Sequence, residues 1–288
     1  MTTTLEIVET NKKFGLVLSG GGAKGIWYIG FLKGYYHTYG RNLIKEAGAI
    51  SATSIGAVIA TILFYNDYNL EIDYIPILAQ IVPIRNLFYR IYKIIPFIFG
   101  LTAGIFNNKR IIYKNLRKYI NSLGKDFTQT QDVYFTATKI ENRTVGVNRV
   151  NFKNINETIQ FATASSNLPI IFEPFKIKDD FYFDGGLTEN LPIFPLLFSS
   201  SLPVYKIIAI NLDIPAIEIK RGLGILDTLL DVVIATGNQW SSTEENDTNV
   251  VVVSPSYNLG SLIDFSEENL NEIFFDGYLA GLDSEKLI

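Results

Sequence analysis

The first residues that could do chemistry are three consecutive glycines, Gly20 to Gly22, in the segment SGGGAKG at 19–25. They follow an apolar run that predicts a strand and precede a pattern that predicts a helix. Backbone N–H groups at a helix start lack intrahelical acceptors, and the helix dipole favours negative charge there. The segment could hold a phosphate, stabilise an oxyanion during acyl transfer, or make a tight turn. Its spacing matches neither a nucleotide P-loop nor a dinucleotide-binding loop.

Two polar residues stand at the ends of other predicted strands. Ser54 lies in ATSIG at 52–56, between a strand and a helix, which is the context of a nucleophile elbow. Such a turn needs small neighbours, and Ala52 and Gly56 are small, but this motif taken alone favours a plain N-cap serine for the next helix. Asp184 begins the segment DGG at 184–186, where it could act as a base or simply make a turn.

The chain contains one histidine and no cysteine. His37 follows Gly25 by 12 residues in a predicted helix, which places it roughly 18 Å along the helix axis. We therefore expect a structural or surface role for His37, and Asp184 is the candidate base if Ser54 is a nucleophile. This composition disfavours a zinc site, and no run of carboxylates resembles a calcium loop. We expect no metal and no cofactor.

The segments that must position these residues alternate between strand and helix. Strands are predicted over 14–19, 48–53, 133–139, 143–152, 181–183, 204–212 and 250–253. Helices are predicted over 23–39, 55–65, 107–123, 156–165, 224–240 and 267–280, with short helices and turns over 75–106. Such alternation predicts an α/β fold, a three-layer sandwich with a mostly parallel central sheet. A length of 288 residues, 48% of them hydrophobic, suits a single domain over 13–285.

Charge is distributed unevenly. The net charge is −4, which disfavours nucleic-acid binding, yet residues 74–125 contain nine Lys or Arg and no Asp or Glu. Nine aromatic side chains accompany these cations. The segment could be a helical cap that contacts a membrane surface, or a lid whose apolar side packs on the core.

No apolar run is long enough to span a bilayer, and residues 1–12 contain no stretch typical of a secretory signal. We therefore expect a cytoplasmic protein that could associate with membranes. Export by a route that needs no such signal stays open.

In order along the chain, these segments resemble the patatin-like phospholipase family. The resemblance rests on the glycine loop with Lys24 and Gly25, the Ser54 elbow with Gly56, and Asp184 with Gly185 and Gly186. It extends through ATASSNLPIIFEPF at 162–175, DGGLTENLPIFP at 184–195 and the closing segment at 265–281. Two residues depart from the family pattern: Ala52 stands where the family usually has glycine, and Lys24 where it usually has arginine.

The resemblance implies a serine hydrolase that uses a Ser–Asp pair and no metal. Ser54 would form an acyl-enzyme, Asp184 would act as base, and the N–H groups of Gly20 to Gly22 would form the oxyanion hole. The implied substrate is a phospholipid or a lysophospholipid. There are two alternatives. The chain could be an acyltransferase or thioesterase that uses the same Ser–Asp pair, or a catalytically silent lipid-binding effector.

Overall fold

A computed structural model describes residues 13–83, 107–124, 131–141, 144–150, 152–169, 171–198, 204–212 and 249–288. The helix predicted over 224–240 and the middle of the 74–125 segment lie outside the described residues. The single-domain interpretation of 13–285 stays a prediction.

One eight-stranded sheet organises the described residues. Its strands are β1 (Lys13–Leu18), β2 (Ala49–Thr53), β3 (Asp132–Lys139), β4 (Thr144–Val150), β5 (Phe175–Ile177), β6 (Asp180–Asp184), β7 (Val204–Ile210) and β8 (Val250–Val253). The order is β5-β6-β3-β2-β1-β7-β8, with β4 also paired to β3. The four pairs β3–β2, β2–β1, β1–β7 and β7–β8 are parallel, whereas β3–β4, β3–β6 and β6–β5 are antiparallel. The sheet is mixed with a parallel centre, which confirms the predicted α/β class.

Helices cover both faces of this sheet. They are α1 (Ile26–Tyr39), α2 (Leu43–Glu46), α3 (Ile55–Tyr65), α4 (Ile75–Ile81), α5 (Ile112–Leu123), α6 (Ile155–Ser165), α7 (Phe194–Phe198) and α8 (Glu267–Leu282). Leu16 and Phe135 point into the main core with α1, α3, α6 and α8, whereas Val17 and Tyr134 pack on the opposite face with Leu196 of α7. Helices α4 and α5 are the described helical parts of the 74–125 segment. Within the described parts of the chain, no helix is long and apolar enough to cross a membrane.

The predicted elements agree with the structure best where the pattern is long. The helix over 55–65 and the strand over 250–253 match to the residue, and the helix predicted from 23 begins as a 3-10 turn, Gly22–Gly25, before α1. Sequence analysis missed β5, α2 and α7. Each of them has five residues or fewer, which is too short for a periodic pattern to emerge.

Helices α1 and α8 pack with their backbones in contact. Gly30 lies on α1 and Gly277 on α8, at the interface between the two helices. A Cβ added at Gly30 would lie 2.1 Å from the carbonyl oxygen of Phe274, and one added at Gly277 would lie 2.4 Å from that of Trp27. Only glycine permits this approach. The C-terminal helix is thereby held against the helix that follows the glycine loop.

The edge pairing of β3 decides where the candidate site residues meet. β4 pairs with residues 133–139 of β3, so it occupies one edge of that strand along its length. The other edge pairs first with β2, up to Thr53 opposite Thr136, and then with β6, where Asp184 is opposite Ala137. Because β2 and β6 meet end to end on this edge, the residue after Thr53 is brought beside Asp184.

Candidate active site

Ser54 occupies a sharp turn between β2 and α3. Its φ of 55° and ψ of −124° are rare for a residue with a side chain and are associated with functional turns. The turn is possible because Gly56 lacks a side chain: a Cβ there would lie 2.7 Å from the carbonyl oxygen of Leu18. Ala52 keeps regular pairing with Leu18 and Phe135 on its two sides, so the methyl group in place of the family's glycine is accommodated.

The hydroxyl of Ser54 donates a hydrogen bond to Oδ2 of Asp184 at 2.7 Å. Ser54 occupies the N-cap position of α3, but its side chain makes no capping bond, so the N-cap alternative accounts for its position and not for its hydroxyl group. The other carboxylate oxygen, Oδ1, accepts the N–H of Gly186 at 2.8 Å. Asp184 therefore makes a turn with one oxygen and binds Ser54 with the other. Both side chains are buried, with Ser54 6% and Asp184 1% exposed.

Burial changes the acidity of this carboxyl group. Desolvation raises the pKa of Asp184 to about 7, while the hydrogen bonds from Ser54 and Gly186 oppose that rise because they stabilise the anion. A carboxylate with a pKa near neutrality accepts a proton more readily than an exposed one. Asp184 is therefore a candidate acceptor for the proton of the Ser54 hydroxyl.

A second serine, not predicted from the sequence, supports the elbow. The N–H of Ser54 donates to Oγ of Ser165 at 2.8 Å, and the Ser165 hydroxyl donates to the carbonyl oxygen of Thr136 at 2.6 Å. Ser165 ends α6 and is fully buried. In the sequence, Ser165 is marked only by its position in the segment 162–175, which resembles the patatin-like family. The bond ties α6 and β3 to the turn that holds Ser54.

The backbone of Asp184 is fixed from both sides. Its N–H donates to the carbonyl oxygen of Asn167 at 3.0 Å, and its own carbonyl oxygen accepts the Thr138 hydroxyl at 2.7 Å. Gly185 follows closely on β3, since an added Cβ would lie 2.2 Å from the carbonyl oxygen of Thr136. These contacts leave the carboxylate little freedom to move away from Ser54.

The glycine loop differs in part from its predicted role. The N–H of Gly20 donates to the carbonyl oxygen of Asn190 at 3.0 Å, so it is not a free donor, and that part of the prediction is corrected. The N–H groups of Gly21 and Gly22 have no acceptor among the described residues. Gly22 has φ +55°, and an added Cβ would lie 2.0 Å from the carbonyl oxygen of Leu262. This position therefore excludes any other residue.

Lys24 and Gly25 belong to the 3-10 turn that follows. Lys24 is 6% exposed, and its ammonium group forms no ion pair or hydrogen bond within the described ranges. A Cβ at Gly25 would lie 2.6 Å from Cγ1 of Ile55. Gly25 therefore allows close packing of the loop on the helix after Ser54, and it is placed to support the site rather than to bind a substrate.

A second carboxyl group with a raised pKa, that of the half-buried Glu189, lies beyond Gly186. Burial raises the pKa of Glu189 to about 7, and Oε1 of Glu189 accepts the N–H of Phe194 at 3.3 Å. Its backbone is close to the elbow, because the Thr53 hydroxyl donates to the carbonyl oxygen of Glu189 at 2.9 Å. Sequence analysis did not identify Glu189, since a glutamate in a loop gives no sign of burial. Two carboxyl groups near the site therefore titrate in the same range.

His37 lies elsewhere, as expected. Its Nδ1 is 3.0 Å from the hydroxyl of Tyr278, and its Nε2 is 3.0 Å from Oε1 of Glu71. Glu71 also pairs with Lys33 at 2.9 Å. This partly exposed group links α1 to α8 and to the loop before α4, which confirms the structural role predicted for His37.

The chain is similar to several known proteins. A family model for patatin-like phospholipases matches residues 16–197. The lysophospholipase NTE1 of Lodderomyces elongisporus is 24% identical over 244 residues, 81% of this chain and 15% of that protein. Lysophospholipase nte1 of Neurospora crassa is 27% identical over 187 residues, 63% of this chain and 11% of that protein. The chain thus spans a small fraction of the length of these curated relatives.

Among solved structures, VipD from Legionella pneumophila aligns over 94% of this chain and 66% of that chain, with a TM-score of 0.45 and 16% identity. Human GIVD cytosolic phospholipase A2 aligns over 95% and 58%, with a TM-score of 0.39 and 9% identity. The family match itself covers well over half of this chain and includes the glycine loop, the elbow and the DGG segment. The chain belongs to the patatin-like phospholipase family.

Proposed function

We propose that this chain hydrolyses acyl ester bonds of phospholipids or lysophospholipids with Ser54 as nucleophile and Asp184 as base. The observation that carries the proposal is the 2.7 Å hydrogen bond from the Ser54 hydroxyl to a fully buried carboxylate. A serine hydroxyl is a weak nucleophile unless an adjacent base removes its proton. The family membership and the lysophospholipase relatives support a lipid ester as the substrate.

Acylation begins when Oδ2 of Asp184 accepts the Ser54 proton and Oγ attacks the ester carbonyl carbon. Negative charge then develops on the carbonyl oxygen. The N–H groups of Gly21 and Gly22 are the candidate donors for this oxyanion, because both lack an acceptor in the described structure. Collapse of the tetrahedral intermediate breaks the ester bond, and Asp184 returns the proton to the leaving alkoxide. Ser54 then carries the acyl group.

Deacylation uses the same groups, with water in place of Ser54 as the nucleophile. A water molecule gives a proton to Asp184 and attacks the acyl-enzyme carbonyl carbon, with the oxyanion again held at Gly21 and Gly22. The intermediate releases the fatty acid, and Asp184 returns its proton to Oγ of Ser54. Over the two steps Ser54 and Asp184 return to their starting protonation states, and neither step uses a metal ion.

The test is release of free fatty acid from mixed phospholipid and lysophospholipid vesicles in the presence of a chelator. Parent protein, Ser54→Ala and Asp184→Asn are compared side by side, with Thr61→Ser as a conservative control in α3. We expect activity in the parent and the control only. Equal activity in all four proteins would contradict the Ser–Asp assignment, and inactivity of the parent on every ester would favour the silent-effector alternative.

A further inference from the structure

Helix α5 and the 3-10 turn before it present an exposed cationic surface. We define the α5 cationic surface by its five exposed side chains: Lys109, Arg110, Lys114, Arg117 and Lys118. No carboxylate in the described parts of the chain forms an ion pair with any of them. The side chain of Glu173 accepts a hydrogen bond from the side-chain amide of Asn107, the residue before this turn, at 3.2 Å. Among the described residues, the positive charge of this surface is therefore not balanced by ion pairs.

The orientation of α5 is fixed by contacts along its length. Its opposite side buries Ile112, Leu116 and Ile120 at spacings of four residues, which places one apolar stripe against the core. The side-chain amide of Asn115 donates to the carbonyl oxygen of Gln80 at 3.1 Å, at the end of α4. The cations therefore cannot rotate inward, and the apolar side cannot insert into a bilayer without unfolding.

The α5 cationic surface begins at the same end of the sheet as Ser54. Asn108, in the turn that carries Lys109, is buried and donates from its side-chain amide to the carbonyl oxygen of Thr163 at 3.4 Å. Two residues later in α6, Ser165 accepts the N–H of Ser54. The turn that begins the α5 cationic surface is therefore connected to the Ser54 turn through α6.

We propose that the α5 cationic surface docks this protein on anionic phospholipid membranes by contact at headgroup depth. A fixed row of cations matches an extended anionic surface, and basic residues near such a surface each contribute favourably to binding. The choice of a lipid surface rests on the function proposed above, since docking there would bring the site to its substrate. Nucleic acid fits less well because the chain as a whole carries a net charge of −4. Arg85, Arg90 and Lys93 of the cap segment lie outside the described residues.

The experiment measures co-sedimentation with sucrose-loaded vesicles, in the Ser54→Ala background so that lipid is not consumed. Vesicles of pure phosphatidylcholine are compared with equimolar phosphatidylcholine and phosphatidylglycerol. The test variant replaces Lys114, Arg117 and Lys118 with glutamine. The control variant replaces three exposed lysines outside α5, Lys45, Lys153 and Lys286, with glutamine. Both variants therefore have the same net charge. Thermal unfolding confirms that each variant is folded.

We expect the parent and the control to bind anionic vesicles, with binding weakened by added salt. The test variant should bind about 100-fold more weakly, since three basic residues are removed. Equal binding by test and control variants, or equal binding to neutral vesicles, would overturn the proposal. So would capture of the parent by an acidic protein without binding to anionic vesicles.

Hydrolysis of a water-soluble short-chain ester separates this proposal from the function on which it rests. With Ser54 intact, parent, test and control proteins should hydrolyse that ester at the same rate. Vesicle binding by proteins that hydrolyse neither this ester nor the vesicle lipids would refute the proposed function and leave docking standing. Hydrolysis together with equal vesicle binding by test and control would refute docking alone.

Discussion

The acidity of Asp184 predicts a steep loss of Ser54 reactivity below neutral pH. Burial raises the pKa of this carboxyl from 3.8 to about 7, and only the ionised form can accept the serine proton. The ionised fraction is about 0.9 at pH 8, about 0.5 at pH 7 and about 0.1 at pH 6. An exposed aspartate would remain almost fully ionised over that range. Acylation should therefore slow about tenfold between pH 8 and pH 6.

The assay is the rate at which a fluorophosphonate probe labels Ser54, because labelling requires the activated serine but no particular lipid. The rate is measured from about pH 5 to about pH 9, with Ser54→Ala as the blank. Glu189→Gln is the matched control, since burial also raises the pKa of Glu189 to about 7. We expect the same profile in parent and control, because Glu189 binds the N–H of Phe194 and not Ser54.

Two results would refute this reasoning. A labelling rate that stays constant down to about pH 5 would mean that Asp184 titrates like an exposed aspartate or is not the base. A profile that loses its inflection in Glu189→Gln would assign the titration to Glu189 instead. Thermal unfolding at each pH shows whether a low rate reflects protonation or loss of the fold.

Further predictions concern stability. Because the folded protein holds a proton on Asp184 up to about pH 7 and the unfolded chain only up to about pH 4, this group lowers stability as pH rises through that window. Asp184→Asn should therefore be more stable than the parent in urea by about 4 kcal/mol at pH 8 and about 2 kcal/mol at pH 5, and a difference independent of pH would contradict this. Gly30→Ala should lower the free energy of unfolding by about 2–3 kcal/mol, since its Cβ would lie 2.1 Å from an α8 carbonyl oxygen. Gly40→Ala is the comparison, because a Cβ there meets no neighbour but the backbone has φ +66°; its free energy of unfolding should fall by only about 1 kcal/mol. Equal losses for Gly30→Ala and Gly40→Ala in urea unfolding would argue against the packing explanation. Ser165→Ala should cost about 1–3 kcal/mol because the N–H of Ser54 loses its acceptor, and it should slow probe labelling, whereas unchanged labelling would show that the elbow needs no such support.

Much of the fold could be predicted because its signals are local. The apolar run before Gly20, the eleven-residue pattern of α3 and the left-handed Gly40 at the end of α1 each depend on neighbours within a few positions. Short elements such as β5 and α7 could not be predicted, since the sheet and its neighbours create them. The raised pKa of Glu189 and the bond from Gly20 to Asn190 likewise depend on contacts that form only in the folded protein.

The sequence by itself determined the residue types at the candidate site: three glycines before a helix, a serine between small neighbours, and an aspartate before two glycines. These are local requirements of backbone geometry, and they can be recognised in order along the chain. The meeting of Ser54 with Asp184, 130 positions away, was decided only by the tertiary structure. β2 and β6 share one edge of β3, and the burial that follows raises the carboxyl pKa. Desolvation and strand pairing arise from the assembled protein, so no single segment encodes them.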